Sequence, residues 1–294
     1  MTSLADRALL GLLILTWAIS WPVIKVGVST VPPIWYGCLR FTIAALCLFA
    51  FVSLRRTLVF PSRRDWPLIA ISGSLQMATF SALTGLALTV LPPGRASVLA
   101  YTTPLWVVPL AAWWLHERPT RREMIGVGMG LLGVLAIVAP SLSPDGREHI
   151  LAYAMLMGAA AAWAVSIVYV RSHQFVATAL VLAPWQMLVA AALLLPVAIA
   201  FEGAAPAITA TGAASLSYVG PIGTAFAYWA VVESGRRFRA GTMSMALLAT
   251  PSLGVLISAL TLGERIGPSL VVGVLLIGTG IVLGASARAP QTKP

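Results

Sequence analysis

The residues best placed to do chemistry in this sequence are few, and none of them is an acid. Arg40 stands inside the apolar run 33–54. A charged side chain at such depth costs a few kcal/mol on insertion scales, so it normally faces a water-filled cavity or a partner. The alternative is that it snorkels to the nearer interface along its own stem. Its counterpart at a shift of 146 residues is Gln186, also polar, which favours an inward-facing position. Trp17, Trp21 and Lys25 are spaced four apart and share one helical stripe, which Trp163, Ile167 and Arg171 repeat. Trp17 and Trp163 fall in the middle of their runs, where an aromatic either packs against a neighbour or lines a cavity. Ser166 lies beside Trp163. Gln76 and Phe80 occur in a third run, Tyr101 in a fourth, Tyr228 in an eighth and Ser244 in a ninth. Small, hydroxyl, amide and aromatic groups suit a roomy pocket with a few orienting hydrogen bonds. The competing reading is hydrogen bonding between helices, worth about 0.6 kcal/mol on average. This chemistry holds a solute; it does not break bonds.

The acids and histidines agree. Asp6, Asp65, Glu117, Glu123, Asp145, Glu148, Glu202, Glu233 and Glu264 all fall in loops or at the ends of runs, as do His116, His149 and His173. No metal-ligand spacing, HExxH pair, nucleophile elbow or P-loop occurs, so neither a metal nor a cofactor is expected. The G-x-G-x-x-G match that begins at Gly128 lacks the preceding strand that a dinucleotide fingerprint needs. Gly126 with Gly130, and Gly280 with Gly284, are GxxxG pairs, which predicts close packing of the fifth and tenth helices, within one subunit or across a dimer. Cys38 and Cys47 sit on one helix, roughly 13 Å apart along its axis, and cannot pair.

The elements that must position these residues follow from composition. Charged residues make up 10% of the 294 and hydrophobic ones 59%, against about 25% charged in soluble domains. Mean hydropathy is +0.91. Apolar runs of bilayer length recur at 8–28, 33–54, 66–90, 95–115, 121–140, 149–170, 176–201, 211–232, 239–262 and 268–286. No strand-like alternation is present, which leaves helices. The first run lacks an Ala-x-Ala-like cleavage site and is read as a retained helix. The net charge of +10 is a topology signal, not a nucleic-acid one. With the N-terminus in the cytoplasm, only Arg95, Arg147 and Arg265 fall on outer segments, while the arginine clusters fall inside.

The chain is also duplicated. Thr103-Pro104 with Glu117-Arg118 recurs as Thr250-Pro251 with Glu264-Arg265, 147 residues on. The boundary falls in the Ser-, Pro- and charge-rich stretch 140–149. Five runs precede it and five follow. An odd number inverts the second copy, an arrangement typical of secondary transporters with a midplane site between the copies. The expected fold is an all-α polytopic membrane protein of ten transmembrane helices in two inverted five-helix repeats, 1–143 and 144–287, with a cytoplasmic tail at 288–294. Pro104 and Pro251, in matching helices, are candidate gating hinges.

These features, above all the paired Thr-Pro…Leu-x-Glu-Arg signature, resemble the EamA branch of the drug/metabolite transporter superfamily along essentially the whole chain. The tryptophan-rich first helix is most similar to the YddG-type amino-acid exporters. The resemblance implies an inner-membrane exporter of amino acids and related metabolites, bulky apolar and aromatic ones included, working by alternating access. With no deep carboxylate, proton coupling is not expected. Another chemistry of the superfamily, exchange of phosphorylated or nucleotide-linked sugars, would need Lys25, Arg40 and Arg171 to converge. The alternative of another class is a membrane-embedded enzyme or assembly factor. A homodimer through helices five and ten and a monomer both stay open, and both termini are expected in the cytoplasm.

Overall fold

The protein, seen in a computed structural model, is described at residues 3–142, 147–238 and 240–286; the side chains at 147, 148, 240, 241, 244, 245 and 286 lie outside that description. The described residues are helical and contain no strand. Helix α1 is Leu4–Val28, α2 is Pro33–Leu54, α3 is Trp66–Val90, α4 is Pro93–Trp114 and α5 is Arg121–Ser141. The later elements are α6 (Arg147–Arg171), α7 (Ala179–Glu202), α8 (210–237), α9 (240–262) and α10 (Pro268–Ser286). Eight of these, all but α8 and α9, are long and apolar enough to cross a membrane. The chain is a multi-pass membrane protein. In hydrocarbon a backbone must satisfy its own polar groups, and helices do so.

Local sequence sets the helix ends. Ser3 with Asp6, and Thr120 with Glu123, form capping boxes that open α1 and α5. Prolines occupy the first positions of α2 and α4, where the missing N–H costs nothing. Gly263, at φ 68°, closes α9 in the left-handed conformation that favours glycine.

Two helices are interrupted at corresponding points. In α4 the regular turns stop at Ala100 and restart at Thr103; in α9 they stop at Leu247 and restart at Ala249. Pro104 and Pro251 therefore lie in the first turns of the restarted segments rather than at kinks in continuous helices. Pro104 cannot donate to the Ala100 carbonyl, and the Thr103 hydroxyl donates to it instead, at 3.1 Å. The Thr250 hydroxyl is buried without such a bond.

A second correspondence was not legible in the sequence. Ser72–Thr79 in α3 and Val219–Phe226 in α8 are both wound as π-helix, with bonds spanning five residues. These segments also lie 147 residues apart.

Helices α5 and α10 pack backbone against backbone. A Cβ built on Gly280 would fall 2.5 Å from the Gly126 carbonyl oxygen, and one on Gly126 would strike the Gly280 carbonyl. Lower down, a Cβ on Gly133 would come within 2.9 Å of the Gly273 carbonyl. Gly130 faces Leu105 of α4, and Gly284 lies over Glu123. The glycine faces of these two helices thus meet each other inside one chain.

Candidate functional site

The π-helical segments set the polar groups. In α8 the Thr224 hydroxyl donates to the Val219 carbonyl, five residues back, at 2.8 Å. Its oxygen also accepts from Arg40 Nε of α2 at 2.7 Å. One turn on, the Tyr228 hydroxyl donates to Gln186 Oε1 of α7 at 3.1 Å. In α3, Gly73 lies against the Gln186 backbone, where a Cβ would sit 2.7 Å from its carbonyl oxygen. One turn further along α3, Gln76 Oε1 accepts from Ser166 of α6 at 3.4 Å. Phe80 then meets Trp163 of α6 edge to face, with ring centroids 4.7 Å apart at 87°. The result is a succession of polar and aromatic pairs across α2, α8, α7, α3 and α6. Ser166 and Gln186 are sealed in at 0% and 2% exposure; Arg40, Gln76, Phe80, Trp163 and Tyr228 are half-buried.

A cavity of about 410 Å³ opens beside this succession, between α4, α6, α9 and the α5–α10 pair. Tyr101, Pro104, Val107, Trp163, Ile167 and Leu248 line it, and it reaches toward Glu123 and Gly284. Its volume is that of a small-molecule site, and its wall is mostly apolar.

Other candidates are engaged elsewhere. Lys25 Nζ donates to the carbonyls of Leu88 at 2.6 Å and Thr89 at 3.2 Å, closing the C-terminal end of α3. Arg171 pairs with Glu117 at 2.5 Å. Trp21 is buried in the main core. Trp17 packs in a separate cluster with Leu10, Phe226 and Trp229. The Ser244 side chain lies outside the description.

Sequence reasoning missed what the acids do. Glu264 accepts from the backbone N–H groups of Gly94 (2.8 Å) and Arg95 (3.1 Å) at the start of α4, and from the Ser258 hydroxyl at 2.5 Å. Glu202 accepts from Ile34 (2.9 Å) and Trp35 (2.8 Å) at the start of α2. Asp65 accepts from Val176 N–H at 2.8 Å, just before α7. Asp6 pairs with Arg237, which also binds Glu233. Carboxylates suit helix N-termini because unpaired N–H groups and the helix dipole converge there. Nothing in the spacing of the acids along the chain announces partners so distant in sequence.

The model of the EamA-like transporter family matches residues 8–139 and again 150–285. The chain belongs to the EamA-like transporter family. Relatives of this EamA-family chain include a probable amino-acid metabolite efflux pump of Escherichia coli, 25% identical, with 95% of this chain and 94% of that protein covered. The aromatic amino acid exporter YddG of Ancylobacter novellus is 27% identical over 92% of both chains. An uncharacterized transporter, YoaV of Bacillus subtilis, is 25% identical over 94% of this chain and 96% of its own. A solved crystal structure at 22% identity shares the fold, with a TM-score of 0.64 over 96% of each chain. These EamA-family relatives are transporters, and this chain is a transporter rather than an enzyme.

Proposed function

We propose that this transporter exports amino acids, aromatic and apolar ones included, by alternating access in the inner membrane and without proton coupling. The observation that carries the reading is the apolar cavity walled by Tyr101 and Trp163. Its size and aromatic lining suit an apolar amino-acid side chain. Two relatives whose names include amino-acid substrates point the same way.

The mechanism we propose rests on ten spans in two inverted repeats, 1–143 and 144–287, with α8 and α9 crossing despite their interruptions. Contacts between helix ends support this. Asp6 meets Arg237, Glu117 meets Arg171, and Asp65 meets the start of α7. Lys25 meets the end of α3, Glu202 the start of α2, and Glu264 the start of α4. Strict up-and-down alternation puts the first three contacts on one face and the last three on the other. The first face carries the arginine clusters and is taken as cytoplasmic, termini included. The cavity reaches toward it, while Lys25, Glu202 and Glu264 close the opposite face, so the conformation is read as inward-open. The interrupted α4 and α9, restarting at Thr103-Pro104 and at Ala249-Thr250-Pro251, are the proposed hinges. Coupling to protons is not invoked, since each described carboxylate sits at a helix end. A phosphate clamp fits less well, because Lys25 and Arg171 are engaged at opposite faces.

The test is flux of labelled phenylalanine in proteoliposomes with and without an imposed proton gradient. Flux down the phenylalanine gradient alone, competed by other apolar amino acids, is expected. No amino-acid flux, or flux only with the proton gradient, would overturn the reading.

A further inference from the structure

Arg40 is a cation inside the membrane with no carboxylate to answer it. It is the eighth residue of α2 (Pro33–Leu54), about 10 Å along the helix from its start. Every described carboxylate is engaged at a helix end, and none lies within ion-pair distance of Arg40 among the described residues. Nε is spent on the Thr224 hydroxyl. The two amino groups have no protein acceptor among the described residues, yet they are not sealed in. The guanidinium rests beside the ring of Phe41, with its carbon 5.2 Å from the centroid.

The side of α2 that carries Arg40 faces α8. Thr42, Leu46, Ala50 and Ser53 form one exposed stripe along α2, and Leu54 is exposed at its end. At 100° per residue Arg40 points about 120° away from the middle of that stripe. The Arg40 side meets α8 closely: a Cβ on Gly220 would fall 2.6 Å from Ile43 and 3.6 Å from the Arg40 carbonyl oxygen. Across from it, Thr224 belongs to a π-helical segment, a distortion that recurs at functional sites. Snorkelling would leave the Nε–Thr224 bond unexplained, since it ties the head group to α8 rather than to an interface.

We propose that Arg40 is the anchor for the carboxylate of the transported solute, with Thr224 holding the guanidinium so that its two amino groups present a bidentate fork. A planar fork of this kind matches a carboxylate, and charge-assisted bonds are the strong ones. A desolvated cation with free donors gains most from an anionic ligand that arrives and leaves. The inference deepens the amino-acid reading above and rests on it for the rest of the solute. It makes the carboxylate the group recognised by charge, with the aromatic wall receiving the side chain.

The experiment uses the purified full chain and four probes: phenylalanine, phenylalaninamide, 3-phenylpropionate and phenethylamine. Binding is read by thermal stabilisation and by competition with phenylalanine flux in proteoliposomes. The wild type is expected to bind the two carboxylates at least about tenfold more tightly than the amide or amine. Arg40→Gln is expected to reduce that preference to about twofold or less, and Arg40→Lys to keep part of it. Loss of affinity for all four probes alike, or an unchanged preference in Arg40→Gln, would overturn the proposal. If Arg40→Gln does not fold, a wild type that binds acid and amide equally overturns it instead. Arg40-dependent binding of 3-phenylpropionate without any phenylalanine flux would retain Arg40 and discard the amino-acid reading. Phenylalanine flux with no acid preference would do the reverse.

Discussion

The carboxylate of Glu264 closes on the N-terminus of α4, accepting the Gly94 N–H at 2.8 Å from a residue 170 positions away in sequence. Ser258 and Arg95 complete the clamp, and a Cβ on Gly94 would fall 2.6 Å from the same carboxylate. Only glycine lets the acid approach the backbone this closely. On the proposed topology this clamp closes the outer face. Glu264→Ala removes charge-assisted bonds worth about 1.5–3 kcal/mol, so the outward-open population should rise about tenfold or more. A cysteine placed at the fully buried Ser97 in a background lacking Cys38 and Cys47 reports it, through faster labelling by an impermeant maleimide applied from the outside. An unchanged labelling rate counts against a gating role.

Gly126 and Gly128 test the α5–α10 interface on a single helix. A methyl at Gly126 would meet the Gly280 carbonyl, whereas one at Gly128 meets nothing within 4 Å. Gly126→Ala should cost about 1–3 kcal/mol through overpacking against backbone. Gly128→Ala should be neutral or slightly stabilising. Thermal unfolding in detergent, run on both variants, separates the two; equal midpoints would mean that the helices part at little cost.

Trp163→Ala removes one aromatic wall of the cavity and the edge-to-face partner of Phe80. Apparent affinity for aromatic solutes should fall about tenfold, in line with the area and ring interaction lost. Affinity for alanine should change much less. Competition in proteoliposomes checks the contrast, and an equal loss for both solutes would point to a structural role instead.

Asp65, at 1% exposure, carries a pH signature. Burial by itself raises its pKa, but the bonds from Val176, Ser62 and Ala177 outweigh burial and hold the carboxyl below the ordinary range. A lowered folded-state pKa means that the contribution is fully present above the unfolded value of about 3.9. It is lost as pH falls through the lower folded-state value. Thermal midpoints between pH 6 and pH 3 should therefore drop more steeply for the wild type than for Asp65→Asn, and parallel curves would remove Asp65 as the cause.

Trp17 and Trp163 mark how far the sequence could be read. They stand in the same local pattern, Trp-Ala-x-Ser, 146 residues apart. Yet Trp17 packs against the cluster that holds Ala227 and Ala230 of α8, while Trp163 meets Phe80 and lines the cavity. The residues that distinguish them come from other helices. Lys25 and Arg171 diverge for the same reason: one caps carbonyls of α3, the other binds Glu117. The GxxxG pairs of α5 and α10 were legible as close-packing faces because small residues allow close approach, but only the tertiary structure showed that the two faces meet within one chain. The π-helical segments left no trace in periodicity, since one extra residue in a turn barely disturbs an all-apolar pattern.

Composition by itself determined that the chain lies in a membrane as helices, because hydrocarbon admits only backbones that bond internally. The repeated Thr-Pro and Glu-Arg spacing determined where the similar parts lie. The tertiary structure alone decided that the acids hold helix N-termini, that Arg40 meets Thr224, and that Trp163 rather than Trp17 borders the cavity. Each of these joins residues far apart in the chain, where hydrogen-bond geometry and shape, not local propensity, select the partner.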